Sequence, residues 1–136
     1  MDERFLVEAQ IAHRVLPRLW IGTEGSCGPA KAAGLTRLCV HEALAQAHDC
    51  VCLPILVGPN QASRARIDRA VAWVIGELNK SGPDILVHCG GGQERAGLVA
   101  LFTVMSMFGT SVDDAYDWLR AIRPQIKDRR SWVTAP

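Results

Sequence analysis

From about Val15 onward, short apolar runs of strand character alternate with stretches of helical periodicity, and this order most narrows the folds open to the chain. Alternation of this kind predicts an α/β fold with a largely parallel sheet and helical crossovers. Val15 to Gly22 (VLPRLWIG) reads as a first strand. Ser26 offers a cap for a short helix through Ala33, which Gly34 can stop in the left-handed region. Leu35 to His41 reads as the next strand and Cys50 to Ile55 (CVCLPI) as a third, with a loop leaving its carboxyl end at Gly58-Pro59-Asn60. Over Gln61 to Lys80, Ile67, Val71, Val74, Ile75 and Leu78 recur at helical spacing, and Ser81-Gly82-Pro83 breaks the pattern. Ile85-Leu86-Val87 has the aliphatic character of a central strand buried on both faces. A hydrophobic helix ending at Gly109 follows. Ser111-Val-Asp-Asp then opens a last helix, with Ala115, Tyr116, Leu119 and Ile122 inward and Pro124 as its stop.

A chain of 136 residues has room for one core, so a single domain over 1–136 is expected: three layers, with a central, mostly parallel sheet flanked by helices. Its 49% hydrophobic and 21% charged residues exclude a disordered or fibrous chain. Fifteen Lys and Arg against fourteen Asp and Glu leave a net charge of +1, which supplies no broad footprint for nucleic acid or an anionic membrane. Neither is expected as a partner, and any anion site must be local. The longest apolar stretch, Ala96 to Gly109, is interrupted by Thr103 and Ser106 and is shorter than the ~20 residues of a membrane span. The first residues carry charges of both signs with no apolar segment ending in small residues, so the mature protein is expected to start near Met1. Five cysteines without an export signal point to free thiols in a reducing, cytoplasmic compartment.

His88-Cys89-Gly90-Gly91-Gly92-Gln93-Glu94-Arg95 lies between the predicted central strand and the predicted buried helix, where open α/β sheets bind ligands. Glycine lets the backbone curl so that successive N–H groups converge, and the helix N-terminus adds partial positive charge, making an anion nest of Gly90, Gly91, Gly92 and Gln93. Arg95 would close the ring with a planar fork able to hold two phosphate oxygens. The same surroundings favour a thiolate at Cys89 over the thiol. The chemistry implied is in-line attack on phosphorus, with a phosphocysteine that water then hydrolyses, and no metal or cofactor is needed.

His-Cys, five residues and Arg, with Gly92 third before the Arg, resembles the signature of the cysteine-dependent protein tyrosine phosphatases. Leu16-Pro-Arg-Leu-Trp-Ile-Gly, Leu53-Pro54-Ile55 and Ala115 to Pro124 are similar to segments of the small dual-specificity branch. The resemblance implies Cys89 as nucleophile, Arg95 as phosphoryl-binding residue and His88 as support for the loop. It implies a phosphorylated protein or a small phosphomonoester as substrate. Two departures matter. The family's proton donor is an Asp in the loop after Leu-Pro-Ile, where this chain has Leu56-Val57-Gly58-Pro59-Asn60, and no carboxylate occurs from residue 50 to residue 67. Glu94, beside Arg95, stands where some relatives place an Asp within the loop, and it is expected to take over as proton donor. Ala96 replaces the family's usual Ser or Thr, which predicts slower breakdown of the phosphoenzyme.

Other residues invite plainer readings. Arg64, Arg66 and Arg69 fit a solvated helix face. His41, His48, Cys50 and Cys52 include metal-ligand types in no standard zinc spacing, so Cys50 and Cys52 read as small apolar residues on a buried strand. A disulfide from Cys89 to either of them is a redox alternative. Trp20, Trp73 and Trp118 read as core residues. The missing loop Asp and Ala96 also support a rival of a different class: an impaired phosphatase fold that binds phosphorylated partners without turning them over.

Overall fold

The structure, a computed structural model, describes residues 11–42 and 49–136. Two of the expectations above, the N-terminal reading and His48, lie outside the described residues. β1 (Ala12–Leu16) and β2 (Leu19–Gly22) form an antiparallel hairpin, so the stretch read as one strand is broken at Pro17-Arg18. Proline presets the turn, and Arg18 follows at φ 66°, a left-handed conformation that costs a non-glycine residue energy. Tertiary hydrogen bonds offset that cost. The Arg18 guanidinium donates to the carbonyls of Leu78, Lys80 and Pro83 at 3.0, 2.8 and 2.9 Å, around the C-terminus of α2 (Arg64–Leu78), where carbonyls lack intrahelical partners.

The main sheet also contains β3 (Thr36–Cys39), β4 (Val51–Cys52) and β7 (Ile85–His88), in the order β1-β2-β7-β3-β4. Every pairing except β1 with β2 is parallel. β7 is central and buried along its whole length, as its aliphatic run predicts. Its side chains alternate. Leu86 packs with Trp20, Ala30 and Leu35 beneath α1 (Cys27–Ala32), while Ile85 and Val87 join the larger core with α2, α3 (Arg95–Phe108) and α4 (Val112–Ile122). The result is the expected helix–sheet–helix arrangement. Gly34 and Gly109 end α1 and α3 at φ 82° and 67°, and the Ser111 hydroxyl caps α4 by accepting from the Asp114 N–H at 3.1 Å.

Several local expectations are corrected. Cys50 to Ile55 supplies only the two-residue strand β4, at the sheet edge, where Val51 is 42% exposed and Cys50 and Cys52 are half-buried. Gly58-Pro59-Asn60 forms a turn, as its composition predicts, but between two short strands that were not expected, β5 (Leu56–Gly58) and β6 (Gln61–Ser63). These strands form a second sheet with β8 (Val133–Ala135), near the C-terminus. α2 therefore starts at Arg64 rather than Gln61, with Ser63 accepting from the Arg66 N–H at 3.3 Å. Ser26 does not cap α1, because its hydroxyl donates back to the Thr23 carbonyl. Trp118 is 53% exposed and is held by an indole hydrogen bond to the Val15 carbonyl at 2.9 Å. No single helix among the described residues is long and apolar enough to cross a membrane.

Candidate active site

The glycine loop leaves the carboxyl end of β7 between Gly22 of β2 and Cys39 of β3, both in register with His88. Its carbonyls are held from outside the loop. Val40 N–H donates to the His88 carbonyl at 3.0 Å, Glu24 N–H to Gly90 at 3.0 Å and Lys127 N–H to Gln93 at 2.9 Å. The Arg123 guanidinium donates to Gly91 at 3.2 Å and to Gly92 at 2.9 Å. In a trans peptide the C=O of one residue and the N–H of the next point in opposite directions. Anchoring the carbonyls of Gly90 to Gln93 outward therefore turns the amides of Gly91, Gly92, Gln93 and Glu94 toward the inside of the loop, as an anion nest requires.

The three glycines are not equivalent. Gly92 has φ 63°, and a Cβ there would lie 2.6 Å from the Gly22 carbonyl and 2.9 Å from the Arg123 guanidinium. At Gly90 and Gly91 a Cβ would meet only ordinary contacts, at 3.7 Å from His41 and Gln93 respectively. Tight packing and the left-handed backbone thus demand glycine at position 92, whereas positions 90 and 91 have room for a side chain.

Cys89 lies 2% exposed beside this cradle, His88 is fully buried and Arg95 is the first residue of α3. The structure so unites His88, Cys89, the three glycines, Gln93 and Arg95. Arg95 has a partner that sequence reasoning missed. Its Nε and Nη2 donate to the two carboxylate oxygens of Glu42 at 3.0 and 2.8 Å, a bidentate pair that fixes the guanidinium plane. Partial burial pushes the Glu42 carboxyl up, but the hydrogen bonds and charge of Arg95 outweigh this and hold it below its ordinary value. Glu42 and Arg95 line one side of a cavity of about 430 Å³ whose other side is Leu56 to Asn60. The β5–β6 turn faces that cavity without a carboxylate.

Glu94 caps α3 by position only, and its carboxylate accepts from Arg129 Nε at 2.7 Å. Ala96 is fully buried and brings no hydroxyl to the loop. Arg123, 1% exposed, is the second residue missed, and its Nη1 lies 2.7 Å from His13 Nδ1. A guanidinium can only donate, so this imidazole nitrogen accepts. Burial, and then the charge of Arg123, lowers the His13 pKa and so favours the neutral ring. A signal for Arg123 existed in Pro124, which brings the helix end and its last cation together, but such cations usually face solvent. Glu42 follows the strand beside β7, so its position at a strand's carboxyl end was the available clue.

His41 and Cys52 do not gather around a shared point with Cys50. Cys52 donates to the Cys50 carbonyl at 3.4 Å, and the Cys50 thiol faces His88 Nε2 at 3.6 Å. Cys50 and Cys89 are not joined in a disulfide. Burial, reinforced by the neighbouring thiols, pushes Cys50 up to about 12, and burial raises Cys39 to about 11, so both are neutral near pH 7.

The sequence pattern of the dual specificity phosphatase catalytic domain matches residues 36–134. Dual specificity protein phosphatase 12 of Mus musculus is 33% identical over 75 residues, which are 55% of this chain and 22% of that protein. The match thus spans about a fifth of that relative's length. The crystal structure of human tyrosine phosphatase-like serine/threonine/tyrosine-interacting protein superposes with a TM-score of 0.74 at 19% identity, covering 90% of each chain. That of a mouse putative dual specificity phosphatase complexed with zinc tungstate gives 0.70 at 24% identity, covering 90% of this chain and 81% of that one. Both show the same fold.

Proposed function

This chain belongs to the dual specificity phosphatase family, in the small branch of the cysteine-dependent phosphatases, and from that premise we propose that it hydrolyses phosphomonoesters through a phosphocysteine on Cys89. The observation that carries the reading is the outward anchoring of the Gly90, Gly91, Gly92 and Gln93 carbonyls around the floor on which Cys89 lies. A phosphoryl group in the cradle receives hydrogen bonds from the inward amides and the charge of Arg95. The Cys89 thiolate attacks in line, the S–P bond forms as the P–O bond to the leaving group breaks, and the leaving oxygen takes a proton. Water then cleaves the S–P bond, releasing inorganic phosphate and restoring the thiolate. His88 supports the loop as its last strand residue.

Glu94 is the proposed source of the proton. Its ion pair with Arg129 must open for it to donate, so donation is slow and substrates whose leaving groups need least help are favoured. Phosphotyrosine, whose phenol has a pKa of about 10, therefore suits this site better than phosphoserine. The second reading, a module that binds phosphorylated partners without turnover, draws on the same pair and on the absence of a carboxylate in the β5–β6 turn.

The deciding experiment is metal-free hydrolysis of p-nitrophenyl phosphate and of a phosphotyrosine peptide, with Cys89→Ser as control. Turnover abolished in Cys89→Ser, and faster on phosphotyrosine than on phosphoserine, supports the enzyme. Vanadate binding with no turnover of either substrate would replace it with the binding module.

A further inference from the structure

On the α1 face of the main sheet, behind the nucleophile loop, three soft donors from distant parts of the chain converge. Cys27 opens α1, Cys50 precedes the edge strand β4, and His88 ends the central strand β7, its side chain alternating with Val87 and so facing α1. The two Sγ atoms and a ring nitrogen of His88 all lie within 4.8 Å of one another. Cys50 Sγ stands 3.6 Å from His88 Nε2. A tetrahedral zinc ion, with metal–sulfur and metal–nitrogen bonds of about 2.3 and 2.0–2.1 Å, places its sulfur and nitrogen ligands about 3.6 Å apart. The Cys50–His88 pair already has the spacing of such a centre, and Cys27 lies close enough to complete it with a small shift.

We propose that Cys27, Cys50 and His88 form a binding site for a soft divalent metal ion of the zinc type, separate from the phosphate cradle. Two thiolates would neutralise the ion, and the imidazole would supply a neutral third ligand. Cys27 and His88 are 3% and 0% exposed, whereas Cys50 is half-buried, so the ion enters on the Cys50 side and keeps its fourth position there for water. Binding forms two metal–sulfur bonds and releases two thiol protons to solvent, with no change in oxidation state. An outer partner is in place: Arg37 Nη1 donates to Cys27 Sγ at 3.1 Å and to Asp49 at 2.8 Å. The N–H···S bond is compatible with a metal-bound thiolate, and Asp49 balances the guanidinium charge. Because His88 directly precedes Cys89, an ion here fixes the imidazole from which the nucleophile loop departs.

The test uses the full chain carrying Cys89→Ser, so that the nucleophile cannot itself capture metal. It is titrated with Co(II) and then with zinc. One equivalent of Co(II) should give thiolate-to-cobalt charge transfer and the visible bands of tetrahedral cobalt, which zinc then bleaches. Adding Cys27→Ser or Cys50→Ser should remove these bands and weaken binding at least about 10-fold, since loss of even an outer partner has that effect. Zinc should also raise the unfolding temperature of Cys89→Ser but not of the Cys50→Ser double variant. Cys50 is half-buried, so its replacement keeps the test decisive where Cys27→Ser fails to fold. No tetrahedral cobalt spectrum in Cys89→Ser, or a spectrum that survives Cys50→Ser, overturns the site.

Discussion

The guanidinium of Arg123 donates to the Gly91 and Gly92 carbonyls at 3.2 and 2.9 Å, joining the end of α4 to the glycine loop across 32 and 31 residues of sequence. Arg123→Met would keep much of the side-chain volume but leave both carbonyls without their donor. The expected cost is about 2–4 kcal/mol of stability and about 100-fold in kcat/KM, because the loop amides lose their aim. Arg123→Lys should recover part of the activity by restoring one charged donor. Urea unfolding and p-nitrophenyl phosphate kinetics on the same preparations check both effects.

His13 adds a pH dependence to that link. Its ring accepts from Arg123 and its pKa is lowered, first by burial and then by the Arg123 charge. The unfolded chain therefore binds a proton more readily than the folded one. The stability from the neutral ring is complete above the unfolded pKa of about 6.5 and is lost as pH falls through it toward the lower folded value. His41 behaves in the same direction, by burial and the charge of Arg95, so the difference between proteins isolates His13. His13→Asn, whose amide oxygen can replace Nδ1 as acceptor, should unfold at a midpoint that changes less between about pH 7 and 5 than wild type does. Parallel slopes would refute this assignment.

The loop glycines should separate sharply. Gly92→Ala combines a left-handed φ with a Cβ 2.6 Å from the Gly22 backbone, and is expected to cost about 3 kcal/mol or more. Gly91→Ala meets only Gln93 at ordinary distance and should stay within about 1 kcal/mol of wild type. Thermal unfolding of the two variants gives the comparison directly, and equal losses would contradict it.

Glu94 and Arg129 make opposite predictions for a leaving group that needs protonation. Glu94→Gln should slow an alkyl phosphate by about 10-fold or more while changing p-nitrophenyl phosphate little. Arg129→Met frees the carboxylate from its 2.7 Å partner and should speed the alkyl phosphate relative to wild type. If both variants leave the ratio of the two substrates unaltered, Glu94 serves only to anchor the C-terminal stretch.

The central strand, the glycine loop and the buried helix are contiguous in sequence, which is why Cys89, Arg95 and His88 could be placed from local signals alone. An aliphatic run, a glycine cluster and a helical repeat each act within a few residues. The hairpin break at Pro17-Arg18 was less legible, because the left-handed Arg18 is tolerated through carbonyls about 60 residues away. The small sheet of β5, β6 and β8 escaped for a related reason: its three-residue strands are too short to show alternation and exist by pairing with one another.

By itself the sequence determined the α/β order, the central strand and the curl of the loop, since backbone freedom and side-chain periodicity are properties of neighbouring residues. Tertiary structure decided which way the loop amides point and how Arg95 is held. Those depend on donors and acceptors from Glu24, Val40, Glu42, Arg123 and Lys127, and a buried polar group finds its partner in space, whatever its distance along the chain.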